Sequence, residues 1–192
     1  IETSLETGTP RLPWERHLSA VTAVVFSPDG SVCVTGSRDN TIRIWDAGTW
    51  KTSRTIENPG TEVTGLAISA DGAQLAAASK DGTVGIFDLE TGELSLTLPG
   101  HRGYARAVAF CGDRVVSAGD DGLVAVWDLA KGEAVHSMAG RVGGVLALSV
   151  RGDGERVLSG GRDGRVREWS LGDGRELTTI QAHRGAVEAV DY

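Results

Sequence analysis

The sequence predicts an all-β protein in which one structural unit occurs four times. An aspartate recurs at steps of 42, 40 and 42 residues, and an aromatic residue follows each aspartate by six positions. The aspartates are Asp39, Asp81, Asp121 and Asp163, and the aromatic residues are Trp45, Phe87, Trp127 and Trp169. Apolar residues alternate with polar ones inside each unit, and no stretch has a helical period. A fixed period of about 40 residues with this alternation is typical of repeat proteins made of strands.

Each unit contains four short runs that read as strands. The first runs are 21–26, 63–68, 105–110 and 145–150, and the second runs are 31–35, 73–77, 114–117 and 155–159. The third run of each unit ends on the aromatic residue. The fourth runs are 51–56, 93–98, 133–138 and 175–180. We therefore expect four antiparallel sheets of four strands.

Glycine marks the turns between these runs. The chain has 27 Gly and only 5 Pro, and seven of the glycines follow an aspartate. Asp-Gly between apolar runs favours a two-residue hairpin turn, because such turns need positive φ angles. The turns at Asp39-Asn40, Asp81-Gly82, Asp121-Gly122 and Asp163-Gly164 join the second run to the third.

This pattern resembles the WD40 repeat. The residues that carry the resemblance are Trp45-Asp46, Phe87-Asp88, Trp127-Asp128 and Trp169-Ser170, together with His17, Gly100-His101 and His183. The repeat has about 40–45 residues and a Gly-His…Trp-Asp signature. The resemblance extends over essentially the whole chain and implies a β-propeller, in which four-stranded blades surround a central channel.

The predicted domain organisation is a single WD40 array over residues 1–192. Residues 1–16 match the end of a preceding blade, residues 17–58, 59–100, 101–140 and 141–182 are the repeats, and residues 183–192 match the first strand of a further blade. Because the register lacks a second strand between the two ends, we expect an incomplete ring. The chain is then part of a larger propeller, or two copies complete one another, or a small ring of four or five blades closes.

The resemblance also implies a buried hydrogen-bond chain inside a blade. Its members are a His, a Ser or Thr, an Asp and the Trp, whose donors and acceptors match. The expected members are His17, Thr35, Asp39 and Trp45 in the first repeat, His101, Ser117, Asp121 and Trp127 in the third, and Ser159, Asp163 and Trp169 in the fourth. The fourth repeat has Arg141 where His is expected, and the second has Pro59, Ala77 and Phe87.

We expect no catalytic site, metal site or cofactor site. A Ser, His and Asp set occurs twice at repeat positions, which one active site does not require, and no Gly-x-Ser-x-Gly motif surrounds any Ser. The four His and two Cys lack metal-ligand spacing. The glycines are turn residues and form no phosphate-binding motif. The tripeptide Arg151-Gly152-Asp153, known as an adhesion motif, fills a turn position here.

The expected partner is a protein with an acidic or phosphorylated segment. In the family, the loops between the second and third strands and between successive blades share one face. On that face the candidate binding residues are Arg38, Lys80, Asp120 and Arg162, which precede the repeated aspartates, and Arg102, Tyr104 and Arg184, which follow the His positions. Their balance is basic on a chain of net charge −7. Arg and Tyr are favoured at protein interfaces.

The predicted function is that of a non-enzymatic protein-interaction scaffold. The alternative is a regulatory or sensor segment of a larger multidomain protein, for example a kinase or a protease. A net charge of −7 disfavours binding to nucleic acids and to anionic membranes. The longest uncharged apolar stretch has nine residues, whereas a membrane helix needs about 20. No signal peptide is visible, so we expect a cytoplasmic protein.

Overall fold

The structure is a computed structural model that describes residues 16–139 and 143–192. The regular elements of these residues are sixteen strands in four sheets of four strands. The all-β prediction is confirmed. Residues 1–15 of the predicted preceding blade, and Arg141, lie outside the described residues.

Each sheet is called a blade, and the blades are numbered in chain order. Blade 1 comprises β1 (Val21–Phe26), β2 (Val32–Ser37), β3 (Thr41–Asp46) and β4 (Thr52–Glu57). Blade 2 comprises β5 (Val63–Ile68), β6 (Gln74–Ser79), β7 (Val84–Asp88) and β8 (Leu94–Leu98). Blade 3 comprises β9 (Ala105–Cys111), β10 (Arg114–Gly119), β11 (Leu123–Asp128) and β12 (Glu133–Ala139). Blade 4 comprises β13 (Val145–Val150), β14 (Arg156–Gly161), β15 (Arg165–Ser170) and β16 (Glu176–Gln181).

Every strand pairs antiparallel with its neighbour in the sequence, and each blade has the same irregularity. In blade 1, Val21 is opposite Ser37 and Ala23 is opposite Gly36, so the register shifts by one residue between these pairs. The same shift occurs in the other three blades. Because pairing continues across this bulge, each second strand ends two residues later than the sequence predicts.

The hydrophobic core lies between the blades and has three parts. Alternate residues of a strand point to opposite faces of its sheet. In β6, Leu75 and Ala77 pack towards blade 1, whereas Ala76 and Ala78 pack towards blade 3. A third cluster joins blades 3 and 4. Each inner blade is therefore buried on both faces, which fixes the order of the blades.

The first strands β1, β5, β9 and β13 lie side by side along the array. Among the described residues, the four sheets do not close into a ring. Val63, Ala105 and Val145 are buried on the preceding blade, whereas at least half of Val21, their equivalent in β1, is exposed. Among residues 16–139 and 143–192, no blade therefore packs on the outer face of β1, which is called the open face. The predicted repeat boundaries stay predictions.

Residues 183–192 follow β16 and form no strand. The backbone N–H of Val187 donates to the Gly161 carbonyl at 3.0 Å, and the Val187 side chain covers Gly160. This is the position that the first strand of a following blade would take. The assignment of this segment stays a prediction.

Candidate functional site

The topology separates two faces of the array, which are defined by their turns. The upper face carries the turns between second and third strands and the connections from one blade to the next. The lower face carries the turns between first and second strands and between third and fourth strands. This follows from the antiparallel order of each sheet. The sequence-predicted hydrogen-bond chains and the candidate binding residues all lie towards the upper face.

Blade 3 brings its four predicted residues together. Nδ1 of His101 lies 3.0 Å from Oδ1 of Asp121, and Nε2 lies 2.8 Å from Oγ of Ser117. The same Oγ accepts a hydrogen bond from Nε1 of Trp127 at 2.8 Å. A carboxylate only accepts, so Nδ1 of the imidazole donates to Asp121, and Nε2 is hydrogen-bonded to the Ser117 hydroxyl. The chain of hydrogen bonds therefore runs from tryptophan to aspartate without a gap.

Blade 1 has the same arrangement with threonine in place of serine. Nε2 of His17 lies 2.7 Å from Oγ1 of Thr35, which accepts from Nε1 of Trp45 at 2.8 Å. Nδ1 of His17 lies 3.1 Å from Oδ2 of Asp39. The Thr41 hydroxyl also donates to Asp39, at 2.6 Å.

The hydrogen bonds at these aspartates favour the charged carboxylate. Burial alone would raise the pKa of Asp39, but the hydroxyl and amide of Thr41, the amide of Leu18 and the charge of His17 together hold that pKa well below its usual range. Burial also opposes ionisation of Asp121, and hydrogen bonds from His101 and from the Arg102 amide outweigh it, so its pKa is lowered. Both carboxylates are therefore ionised at neutral pH.

Blade 4 replaces the histidine with an arginine that the sequence did not single out. Nε1 of Trp169 donates to Oγ of Ser159 at 2.8 Å, as in the other blades. Asp163, however, pairs with the buried Arg167, whose Nη2 lies 2.6 Å from Oδ2 and whose Nη1 lies 3.4 Å from Oδ1. The Arg167 guanidinium is the main reason why the pKa of Asp163 is lowered. The same strand position is Arg43 in blade 1 and Ala125 in blade 3, so an arginine there did not by itself single out blade 4.

Blade 2 fills the equivalent space mainly with apolar side chains. Ala77 and Phe87 are fully buried in the core shared with blade 1. Asp81 accepts from the amide and the hydroxyl of Thr83, at 3.0 and 2.7 Å. Nδ2 of Asn58 donates to Oγ of Ser79 at 2.8 Å, a contact that the sequence did not indicate.

These chains offer no accessible nucleophile. Ser117 is fully buried, and its hydroxyl oxygen is bonded to both His101 and Trp127. A satisfied buried network of this kind rigidifies its surroundings. Among residues 16–139 and 143–192, no three His, Cys, Asp or Glu side chains are grouped so that they could hold a metal ion. No helix in that same range is long and apolar enough to cross a membrane.

Glu62 joins the basic residues of blades 1 and 2 on the upper face. Its carboxylate lies 2.5 Å from Nζ of Lys80 and 3.8 Å from Nε of Arg38. Lys80 in turn lies over the ring of Tyr104, 5.4 Å from its centroid. The hydrogen bond to Glu62 is the main reason why the pKa of Lys80 is raised. Two cations therefore share one carboxylate here.

Asp120 is likewise a carboxylate shared by two cations, between blades 3 and 4. It accepts from Nε and Nη2 of Arg106, at 2.9 and 2.6 Å, and from Nη2 of Arg162 at 3.1 Å. The Arg106 guanidinium also lies over the Tyr104 ring, 4.5 Å from its centroid. Sequence reasoning selected Asp120 and Arg162 but missed Arg106, because it considered only positions next to the repeated Asp and His.

Arg102 and Arg184 are exposed on the upper face. The backbone amide of Arg102 donates to Asp121 at 2.9 Å, which fixes the backbone while the side chain points into solvent. Neither side chain forms an ion pair in the described part of the chain. Counted over the candidate binding residues together with Glu62 and Arg106, and apart from the repeated aspartates of the turns, the upper face has six cations and two carboxylates.

The lower face is acidic. A groove of about 660 Å³ between blades 2 and 3 is lined by Asp71, Asp88 and Asp113. Hydrogen bonds from Ser69 and the Ala73 amide lower the pKa of Asp71, so its charge persists in mild acid. An anionic ligand is repelled from this face and attracted to the upper one.

The tripeptide Arg151-Gly152-Asp153 also lies on the lower face, in the turn between β13 and β14. Nη2 of Arg151 lies 2.6 Å from Oδ2 of Asp153. The two charged side chains therefore form an ion pair with each other. The tripeptide lies in a turn, as the sequence predicts.

Comparison with known proteins gives consistent matches along the chain. The family model "WD domain, G-beta repeat" matches residues 8–46 and 132–170. The model "Anaphase-promoting complex subunit 4 WD40 domain" matches residues 49–111. The chain is 58% identical over 33 residues to Protein Mut11 of Chlamydomonas reinhardtii. It is 48% identical over 42 residues to the small ribosomal subunit protein RACK1 of Schizosaccharomyces pombe.

These two relatives match the chain only locally. The aligned segments span 17% and 22% of this chain, and 9% and 13% of the relatives. They are each about one repeat long.

Proposed function

Because the chain belongs to the WD40-repeat family, we propose that it is a non-enzymatic scaffold that binds an acidic or phosphorylated segment of a partner protein on its upper face. WD40 repeats generally mediate protein–protein interactions and are generally non-enzymatic. The single observation that carries the choice of partner is the excess of cations over carboxylates on the upper face. The acidic turns lie on the opposite, lower face.

The residues that contact the partner are those with exposed charge. The Arg38 side chain is 62% exposed and that of Arg162 is 48% exposed, and Arg102 and Arg184 are exposed as well. They belong to successive blades, so an extended segment suits them better than a compact epitope. Tyr104 adds an aromatic surface between the two groups of cations.

Charge reversal tests this proposal. Three sets of degenerate peptides, acidic, phosphorylated and neutral, are presented on beads, and the captured chain is quantified. The double variant Arg38→Glu/Arg162→Glu is expected to lose capture by the acidic and phosphorylated sets. The matched control is Lys51→Glu/Lys131→Glu, which makes the same change in net charge on the lower face. Equal capture by the upper-face variant and the wild type would contradict the proposal.

A second copy of the chain is a separate proposed partner, which would complete the ring. The open face at β1 favours such contacts, since exposed strands with apolar residues associate readily. However, residues 183–192 already lie on blade 4 where the first strand of another copy would dock. Light scattering on a size-exclusion peak decides this: a mass near twice 20.1 kDa supports ring completion, and a stable monomer excludes it.

The cytoplasmic location is also part of the proposal. It rests on the sequence expectation given above. Fractionation of cells that express the tagged parent protein tests it, and recovery in a membrane or extracellular fraction contradicts it.

A further inference from the structure

We propose that the cluster of Arg106, Asp120 and Arg162 is a phosphate-binding subsite, which takes the phosphorylated residue of the partner segment. This inference rests on the proposed function and narrows it from acidic or phosphorylated ligands to phosphorylated ones. It also places the main contact at one boundary, between blades 3 and 4.

Two guanidinium groups converge on one carboxylate at this boundary. Asp120 binds Arg106 at 2.6 and 2.9 Å and Arg162 at 3.1 Å. Arg162 comes from the next blade, 42 residues away in the sequence. Arg106, Arg162 and Asp120 together carry one positive charge, which the nearby Glu188 reduces. Planar guanidinium groups bind phosphate oxygens in pairs, so the group is suited to an anion that adds to, or replaces, Asp120.

Glycines leave the cluster open to a ligand. A Cβ atom on Gly103 would lie 3.4 Å from Cβ of Asp120, and one on Gly144 would lie 3.2 Å from Cα of Asp120. A Cβ on Gly143 would lie 3.6 Å from Cβ of Arg162. Side chains at these three positions would crowd the carboxylate and the Arg162 stem. Among the described residues, the glycines therefore leave space beside these charged groups.

Tyr104 positions the buried side of the cluster. Its ring lies against the Arg106 guanidinium, and its carbonyl accepts from the Asp120 amide at 2.9 Å. Both the cation and the carboxylate are therefore held by the same residue. A cation that is already oriented loses less entropy when a ligand binds.

The number of acceptor oxygens favours phosphate over carboxylate at this subsite. A phosphoserine or phosphothreonine carries a charge of about −1.5 to −2 at pH 7 and three acceptor oxygens. A Glu or Asp side chain offers only two oxygens, which is what Asp120 already supplies to the two guanidinium groups. Glu188 also acts on Arg106 and repels either anion, so the preference comes from the third acceptor oxygen of phosphate and its fit to paired donors. The exposed Arg102 and Arg184 make the surroundings more positive.

The equivalent group between blades 1 and 2 is a natural control. There Glu62 binds Lys80 closely, while Arg38 stays 3.8 Å away. A lysine provides a point charge and no planar pair of donors. Arg38 and Arg162 occupy the same position of their repeats and carry the same charge. Comparing the Arg38 and Arg162 variants therefore distinguishes a local phosphate site from attraction by the overall charge of the upper face. A local site makes the Arg162 variant lose more affinity than the Arg38 variant.

The experiment measures fluorescence anisotropy with three labelled peptide libraries that differ at one fixed residue: phosphothreonine, Glu or Thr. The wild type is expected to prefer the phosphothreonine library by about tenfold. Arg162→Gln is expected to remove most of that preference, whereas Arg38→Gln lowers it less than about threefold, since screening weakens distant charges. Asp120→Asn, which removes the internal carboxylate, is expected to tighten binding of both anionic libraries.

Several results would overturn the inference and leave the proposed function intact. One is equal affinity for the phosphothreonine and Glu libraries. Another is an equal loss with Arg38→Gln and Arg162→Gln. A third is complete competition by inorganic phosphate at the affinity of the library, which would assign the site to free phosphate. If no anionic library binds the wild type or the Asp120→Asn variant, both the inference and the proposed function fail.

Discussion

Nη2 of Arg167 lies 2.6 Å from Oδ2 of Asp163 in blade 4, where blades 1 and 3 place a histidine against the equivalent aspartate. The arginine reaches the carboxylate from within its own blade, four residues along the chain. The histidines come from the segment that precedes the blade. In blade 4 the partner of the aspartate is therefore much closer in the sequence than in blades 1 and 3.

We expect Arg167→Ala to destabilise the fold strongly. The Arg167 side chain is 5% exposed and Asp163 is 24% exposed, so removal of the arginine leaves a largely buried carboxylate without its main partner. The expected loss in the free energy of unfolding is about 2–4 kcal/mol, near the range for a broken buried pair. Urea unfolding measures it. Arg165→Ala, an exposed arginine in the same strand, is the control and should change stability by less than about 0.5 kcal/mol.

We expect Ser117, which joins His101 to Trp127 in blade 3, to contribute strongly to stability although its side chain is small. Ser117→Ala removes the partner of Nε1 of Trp127 and of Nε2 of His101 in a buried site, whereas Nδ1 of His101 keeps Asp121. The loss in stability is expected to be about 1–3 kcal/mol. Ser137→Ala, on the exposed fourth strand of the same blade, should be nearly neutral. Equal midpoints in urea for the two variants would show that the buried chain does not stabilise the blade.

The converse substitution in blade 2 should also destabilise. Ala77→Ser puts a hydroxyl where Phe87 offers no hydrogen-bond donor, in a fully buried position. The expected cost is about 1–3 kcal/mol, because the hydroxyl loses water without a full replacement. Ala77→Ser combined with Phe87→Trp supplies the donor and should recover part of the loss, measured by the same urea titration. A double variant less stable than the single one would contradict the account.

Stability is expected to fall in acid because of the buried aspartates. The pKa of Asp121 is lowered in the folded state, so its contribution is present above the ordinary aspartate pKa of about 3.9. That contribution is lost as the pH falls through the lowered folded value. Urea midpoints measured from pH 7 to pH 3 should drop less in Asp121→Asn than in the wild type. Parallel pH profiles would exclude Asp121 as a cause.

Two glycines with positive φ angles should differ in their tolerance of a side chain. Gly82 has φ +93, and a Cβ there would overlap the His101 carbonyl oxygen, which is backbone. Gly30 has φ +71 with open space around it. Gly30→Ala should cost about 1–2 kcal/mol from strain alone. Gly82→Ala should cost clearly more in thermal unfolding, because the loop that places His101 must move.

The sequence by itself determined the number of units, their strands and their turns. These depend on local features: alternation of apolar residues, Asp-Gly turns, and an aspartate six residues before an aromatic residue. The members of the hydrogen-bond chains were implied by the resemblance to the WD40 repeat, and blades 1 and 3 bring all four of them together. The ends of the second strands did not follow, because a bulge against the neighbouring strand extends them.

The tertiary structure alone decided which charged groups meet. Arg162 and Asp120 are 42 residues apart, and they become partners only because blade 4 stacks on blade 3. In the same way Glu62 stands between Arg38 and Lys80, and Arg106 lies against Tyr104 only in the assembled array. Local patterns specify strands, whereas charge pairing depends on how neighbouring blades approach each other.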